Sequence, residues 1–131
     1  MIGLVIVSHS KKISEGIVDL CYEMAGKDVK IISAGGTSDG RIGTDPILIK
    51  EAIEEAYDGD GVVILADIGS SIMSSELAIE MLEEDIKGKT CVLDTPIVEG
   101  SIAVAVQAYI SNNIEEIKKA AEEARNTQKI S

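Results

Sequence analysis

The chain holds a single histidine, His9, which follows an apolar run over residues 2–7. An imidazole can act as a nucleophile when one ring nitrogen is an unprotonated lone pair and the other carries the proton. A carboxylate bonded to the protonated nitrogen holds that tautomer and stabilises the cation formed on attack. Asp67 is the candidate for this carboxylate, because it follows a second apolar run, over residues 62–66. The pair predicts nucleophilic chemistry at His9.

Two segments of small residues could hold a phosphoryl group beside this pair. One leads into a predicted helix, where the first N–H groups and the helix dipole favour an anion. The other is a glycine-rich loop, whose small residues let the backbone approach a ligand closely. The candidate phosphoryl-binding residues are Gly36, Thr37, Gly69, Ser70 and Ser71. Singly, these residues also suit ordinary roles such as a turn or a helix N-cap; together with the histidine they predict a phosphohistidine site.

The composition is typical of one folded globular domain. The chain has 131 residues, of which 45% are hydrophobic and 27% charged, which excludes intrinsic disorder. We therefore expect a single domain over residues 1–131. No apolar run approaches the ~20 residues of a membrane span, and the first residues lack the basic region of a signal peptide. These features predict a cytoplasmic protein that does not bind membranes.

The charge balance argues against a nucleic-acid partner. There are 12 Lys and Arg against 23 Asp and Glu, a net charge of −11, whereas binding to phosphate backbones relies on basic residues. Three cations, Lys11, Lys12 and Arg41, nevertheless lie close to the predicted strand ends. The lack of Trp and Phe disfavours a stacked flat cofactor, and Cys21 and Cys91 lack the spacing of a zinc site. We expect no metal and no cofactor on this chain.

Alternating strand and helix signals divide the chain into four β-α units and a last helix. The predicted strands cover residues 2–8, 29–33, 62–66 and 89–93. This alternation indicates an α/β fold, a doubly wound parallel sheet flanked by helices. Ligands of such folds bind at the carboxyl ends of the strands, where the strand order reverses. A four-stranded order 2-1-3-4 would place strands 1 and 3 side by side, and with them His9 and Asp67.

Apolar residues at helical spacing predict the buried face of each helix. The predicted faces are Ile13, Ile17, Leu20, Cys21 and Met24 in the first helix; Leu48, Ile49, Ala52, Ile53 and Ala56 in the second; Met73, Leu77, Ile79 and Met81 in the third; and Ile114, Ile117, Ala121 and Ala124 in the last. The helix over residues 97–110 is unusually apolar.

Three segments together resemble a known family. Residues 3–10, 34–44 and 66–76 are similar to the start, the glycine-rich loop and the third strand-end motif of the phosphotransferase subunits (DhaM) of bacterial dihydroxyacetone kinases. The wider relatives are enzyme IIA domains of mannose-type sugar phosphotransferase systems (PTS). The resemblance covers nearly the whole chain. It implies a mannose-type enzyme IIA fold, with the family's active histidine at His9 and its partner aspartate at Asp67.

The resemblance also implies a phosphoryl relay. The phosphocarrier protein HPr, charged from phosphoenolpyruvate by enzyme I, would donate to His9. This chain would pass the group to ADP held in the nucleotide-binding subunit of the kinase, and the ATP formed there would phosphorylate dihydroxyacetone in a third subunit. The relatives are homodimers, and the apolar helix over residues 97–110 offers a surface for that. The HPr-like and enzyme I-like domains of some relatives are expected on separate proteins.

Parts of the sequence also fit other functions. An enzyme IIA domain of a mannose-type sugar transporter would share the chemistry but have a different acceptor. A receiver-like signalling module also has an Asp after strand 3, yet it needs paired acids after strand 1, where Ser8, His9 and Ser10 stand. A hydrolase using Ser70 lacks the Gly-x-Ser-x-Gly elbow, and a dinucleotide-binding role lacks Gly-x-Gly-x-x-Gly after strand 1.

Overall fold

A computed structural model describes all residues, 1–131. Four parallel strands form one sheet in the order β2-β1-β3-β4, with six helices around it. The strands are β1 (Gly3–Val7), β2 (Ile31–Ser33), β3 (Val62–Ala66) and β4 (Thr90–Leu93). The helices are α1 (Lys11–Ala25), α2 (Pro46–Ala56), α3 (Ser70–Glu80), α4 (Glu84–Lys87), α5 (Ile97–Ile110) and α6 (Ile114–Asn126). The predicted doubly wound fold and strand order are confirmed, and the short helix α4 is an addition.

The register between β1 and β3 positions the strand ends. The two strands pair over their full length, from Gly3 opposite Val62 to Val7 opposite Ala66. The amide of Asp67 then donates to the carbonyl of Val7 at 3.1 Å, which extends the pairing by one residue. The chain segments that follow β1 and β3 therefore leave the sheet side by side.

Both central strands are buried on both faces, as expected of a parallel sheet covered by helices. On one face Leu4 and Ile6 pack in a core cluster with α1, α5 and α6. On the other face Val5 and Val7 pack in a second cluster with α2 and α3. This burial on both sides explains why β1 and β3 are continuously apolar rather than alternating.

Helix α3 is oriented differently from the prediction. Met73 is 72% exposed and Leu77 is 54% exposed, whereas Ser71, Ser75 and Ala78 are fully buried. The predicted apolar face of this helix was therefore wrong except at Ile79, which is half-buried against the second core cluster. The small residues let the helix lie close to the sheet, and the buried hydroxyl of Ser75 is satisfied by the carbonyl of Ser71 at 2.7 Å.

Helix α1 shows the same effect in part. Ile17 and Cys21 are buried as predicted, but Ile13, Leu20 and Met24 are exposed. The helix contacts the sheet along a narrower stripe than its apolar content indicates. The predicted faces of α2 and α6 are buried or half-buried throughout. No helix in the structure combines the length and the apolar character that crossing a membrane requires.

Candidate active site

His9 lies in the three-residue connection between β1 and α1. Ser10 is the N-cap of α1, and its hydroxyl accepts the amide of Ile13 at 3.3 Å. The carbonyl of His9 accepts the amide of Gly43 at 2.9 Å, which ties the glycine-rich loop to the histidine backbone. A buried strand on one side and a capped helix on the other thus hold the backbone of His9.

The histidine ring and the Asp67 carboxylate are in direct contact. His9 Nδ1 lies 3.0 Å from Asp67 Oδ1, and the two side chains are 23% and 16% exposed. A carboxylate can only accept a hydrogen bond, so Nδ1 carries the proton in this pair. In the neutral ring, Nε2 is then the nitrogen with the free lone pair.

The carboxylate of Asp67 receives four hydrogen bonds. Oδ1 accepts His9 Nδ1 and the Ile68 amide, the latter at 2.7 Å. Oδ2 accepts the Ser8 hydroxyl at 2.9 Å and the His9 amide at 3.0 Å. Burial raises the pKa of this carboxyl, but the hydrogen bonds to the charged form outweigh it and lower the pKa from 3.8 to about 2. Asp67 is therefore ionised at neutral pH.

The other ring nitrogen faces the start of α3. His9 Nε2 lies 2.6 Å from the hydroxyl of Ser70, the first residue of that helix. In the neutral ring with its proton on Nδ1, Nε2 accepts this hydrogen bond from the Ser70 hydroxyl. The N-cap of α3 is Gly69, which has no side chain to satisfy the first amides. The amides of Ser71 and Ile72 already donate to the carbonyls of Ile68 and Gly69, so the amides of Gly69 and Ser70 are the ones available to an anion near Nε2.

The glycine-rich loop approaches the site through its backbone. The Gly36 amide donates to the carbonyl of Ser8 at 3.0 Å. Gly36 has φ +74°, and a Cβ there would lie 3.1 Å from the carbonyl oxygen of Arg41. The Thr37 hydroxyl accepts the Arg41 amide at 3.1 Å and donates to Asp39. Thr37 therefore bonds within its own loop and makes no hydrogen bond to His9.

The predicted site residues thus fall into two groups. His9, Asp67 and Ser70 share direct hydrogen bonds, with Gly69 beside them. Ser71 is buried and donates to the carbonyl of Ile68 at 2.7 Å, so its hydroxyl supports the turn. Like Thr37 and Gly36, Ser71 makes no hydrogen bond to the ring of His9.

The cations predicted near the site are solvent-exposed. Lys11 and Lys12 lie in the first turn of α1. Arg41 forms an ion pair with Asp39, with Nε 2.8 Å from Oδ2. No group of three His, Cys, Asp or Glu side chains is placed to hold a metal ion.

Sequence reasoning missed Ser8. Its side chain is fully buried and donates to Asp67, although it stands in the sequence only as the polar end of an apolar run. The parallel register could have revealed it. Val7 pairs with Ala66, so the next residues along the two strands, Ser8 and Asp67, lie side by side.

Residues 3–118 match the family EIIA-man, the PTS system fructose IIA component. The chain belongs to this enzyme IIA family. The enzyme IIA chain is 44% identical over 117 residues to the PEP-dependent dihydroxyacetone kinase 2 phosphoryl donor subunit DhaM of Listeria innocua, covering 89% of this chain and 94% of that protein. It is 39% identical over 120 residues to the DhaM subunit of Escherichia coli K12, covering 89% of this chain but 25% of that protein. The predicted resemblance is confirmed.

Solved structures agree with the family assignment. The crystal structure of the protein EF1359 superposes with a TM-score of 0.87 at 40% identity and full coverage of both chains. The phosphotransferase system component EIIA from Streptococcus agalactiae has a TM-score of 0.69 at 17% identity, covering 95% of this chain and 92% of that one. The second match shows the shared fold. The chain is a DhaM-like enzyme IIA protein, and its relatives support a role as a phosphotransfer carrier.

Proposed function

We propose that this enzyme IIA chain carries a phosphoryl group on Nε2 of His9 within a PTS-dependent dihydroxyacetone kinase. The observation that carries the proposal is the placement of the ring between the Asp67 carboxylate and the Ser70 hydroxyl. One nitrogen is held protonated by a half-buried anion, and the other faces an exposed helix start. Family membership and the DhaM relatives support phosphotransfer as the chemistry.

In the proposed step the Nε2 lone pair attacks the incoming phosphorus, and the bond from phosphorus to the donor breaks in line with the attack. The proton stays on Nδ1, so the ring becomes cationic. Asp67 stabilises this cation through the 3.0 Å contact. Transfer onward reverses the step: an oxygen of the acceptor attacks phosphorus, the P–N bond breaks, and Nε2 regains its lone pair.

The start of α3 receives the phosphoryl oxygens in this proposal. The Ser70 hydroxyl leaves Nε2 when phosphorus arrives and donates to an equatorial oxygen instead. The amides of Gly69 and Ser70 contribute further donors at the positive end of the helix dipole. Gly36 and Thr37 shape the opposite loop, which is held near His9 by the hydrogen bonds of the Gly36 amide to the Ser8 carbonyl and of the Gly43 amide to the His9 carbonyl. The side chains that we assign to this step require neither a metal nor a cofactor on the chain.

The proposed donor is the phosphocarrier HPr, and the proposed acceptor is ADP held by the nucleotide-binding subunit of the kinase. The names of the DhaM relatives, PEP-dependent phosphoryl donor subunits, support this direction of transfer. We place the protein in the cytoplasm with these partners. We also propose that it is a homodimer in which α5 takes part, because Val98, Val106, Tyr109 and Ile110 of that helix are exposed. Sedimentation velocity of wild type and Val106→Glu would test this interface.

A mannose-type sugar transporter is the second candidate for the acceptor. The description of the matching family, a fructose IIA component, favours it. In that case the phosphoryl group passes to a IIB domain rather than to bound ADP. Incubating the labelled chain with each acceptor separately distinguishes the two: label moves to the kinase nucleotide in one case and to the IIB domain in the other.

Intact-protein mass spectrometry tests the carrier role. The chain is mixed with phosphoenolpyruvate, enzyme I and HPr, and its mass is read before and after mild acid. We expect a gain of one phosphoryl group that acid removes and that His9→Ala abolishes. A chelator added after HPr is charged should leave the gain unchanged. No gain from charged HPr, or a gain located on Asp67, would contradict the proposal, and label on Asp67 would favour a receiver-like module.

A further inference from the structure

A buried serine connects the Asp67 carboxylate to the start of α1. Ser8 is excluded from solvent, and its hydroxyl donates to Asp67 Oδ2 at 2.9 Å. The Ser8 hydroxyl oxygen in turn accepts the amide of Ser10 at 3.0 Å. Because that lone pair is occupied, and because a carboxylate can only accept, the single hydroxyl proton of Ser8 is directed to Asp67.

We propose that Ser8 is a positioning residue that sets the rotation of the Asp67 carboxylate, and through it the tautomer and orientation of His9. The inference rests on the proposed function, in which His9 is the phosphoryl acceptor. Ser8 would act without touching the phosphoryl group, since its hydroxyl bonds to the carboxylate from the buried side.

The hydrogen-bond pattern explains why one hydroxyl matters. Each carboxylate oxygen of Asp67 accepts two hydrogen bonds, which matches the four lone-pair sites of the group. Without Ser8, Oδ2 retains only the His9 amide, and the space beside it is closed to solvent. The carboxylate then gains rotational freedom and loses a donor to its charged form. Its hold on Nδ1 of His9 weakens as a result.

Nuclear magnetic resonance tests the inference without any phosphoryl donor. The chain has one histidine, so the ¹⁵N signals of its ring are unambiguous. In wild type we expect the neutral form of the ring to carry its proton on Nδ1 alone. In Ser8→Ala we expect averaging between the two tautomers and a raised pKa of Asp67, read from its ¹³C carboxyl shift. Ser8→Cys, a weak donor of similar size, should fall between the two.

A matched control separates this role from general effects of removing a buried hydroxyl. Ser14 is equally buried, and its hydroxyl bonds to the Lys11 carbonyl and to Ser33. We expect Ser14→Ala to leave the ring signals of His9 as in wild type. Unchanged tautomer and carboxyl signals in folded Ser8→Ala, or the same change in both variants, would overturn the inference.

A double-mutant cycle tests the consequence for transfer. Ser8→Ala should slow phosphorylation of His9 by on the order of 10-fold, the lower end of the loss seen when metal-bound histidines lose an outer hydrogen-bond partner. In an Asp67→Ala background the same change should have no further effect, because Ser8 acts through that carboxylate. Equal effects in both backgrounds would overturn the inference. Failure of wild type to accept phosphate would instead contradict the proposed function, and the resonance measurements would still decide the role of Ser8.

Discussion

The hydroxyl of Ser70 and Nε2 of His9 lie 2.6 Å apart, so the nitrogen that we propose as the nucleophile is hydrogen-bonded in the resting protein. Together with the Asp67 contact at Nδ1, this hydrogen bond fixes the orientation of the ring. It also places a donor where the phosphoryl oxygens would arrive. The Ser70 hydroxyl therefore has two opposing effects on the transfer rate. Its bond to Nε2 stabilises the resting protein and slows transfer, whereas its bond to a phosphoryl oxygen would speed transfer.

Replacing Ser70 by Ala should slow phosphorylation of His9 by about 10-fold. The lost bond to Nε2 is neutral, whereas the lost bond to the phosphoryl group is charge-assisted and about twice as strong. The rate is measured by rapid quenching and intact mass after addition of charged HPr. Ser70→Thr retains the hydroxyl and serves as the control. A faster reaction in Ser70→Ala would show that the hydroxyl only restrains the ring.

Asp67→Ala should slow the same transfer by ~10²–10⁴, because the ring loses both its fixed tautomer and the anion that stabilises its cation. Asp94→Ala is a suitable control. Asp94 also follows a strand, but its carboxylate is exposed and pairs with Arg125 at 3.0 Å. Wild-type rates in Asp67→Ala would contradict the orienting role.

The low pKa of Asp67 predicts a specific acid dependence of stability. A carboxyl whose pKa is lowered by folding stabilises the folded state above its unfolded pKa, and the stabilisation is lost as pH falls through the folded value. The contribution of Asp67 should be complete above about pH 5 and should fall between its unfolded value of 3.8 and its folded value of about 2. Urea unfolding of wild type and Asp67→Asn over this range measures it. The difference between the two should shrink with acid, and a constant difference down to pH 2 would be inconsistent with the lowered pKa.

Two glycines should respond to alanine in opposite directions. Gly36→Ala places a side chain at φ +74° beside the Arg41 carbonyl and should destabilise the protein by ~1–2 kcal/mol. Gly16 lies within α1, where an added Cβ meets nothing within 4 Å. Gly16→Ala should stabilise the protein by ~0.5–1 kcal/mol. Urea denaturation of both variants checks the pair, and equal signs would contradict the loop geometry.

Helix α3 buries its small residues and exposes most of its large ones, which leads to a further prediction. Met73→Lys should change the free energy of unfolding by less than ~0.5 kcal/mol, since the side chain is exposed. Ala78→Leu should destabilise by ~1–3 kcal/mol, because it adds volume to a fully buried position. Thermal or urea unfolding compares them. A large loss in Met73→Lys with a tolerated Ala78→Leu would mean that the helix packs through its large residues.

Much of the fold followed from local patterns. A parallel strand covered on both faces must be apolar throughout, so β1 and β3 are recognisable from their residues alone. Helix starts such as Asp45–Pro46 follow from capping chemistry, and the structure has Asp45 accept the Ile47 amide at 2.9 Å. These patterns depend on a few adjacent residues, so they can be recognised without the tertiary structure.

The alternation of strands and helices by itself determined a parallel, doubly wound sheet. The order 2-1-3-4, which brings the ends of β1 and β3 together, was an expectation that the tertiary structure confirmed. The tertiary structure alone decided which atoms meet there: Ser8 turned inward to Asp67, and Thr37 was held within its own loop. It also decided that α3 packs through Ser71, Ser75 and Ala78. The periodicity of a sequence shows only where apolar residues recur. How closely a helix packs against the sheet, and which way a hydroxyl points, depend on the space and the hydrogen-bond partners that distant parts of the chain provide.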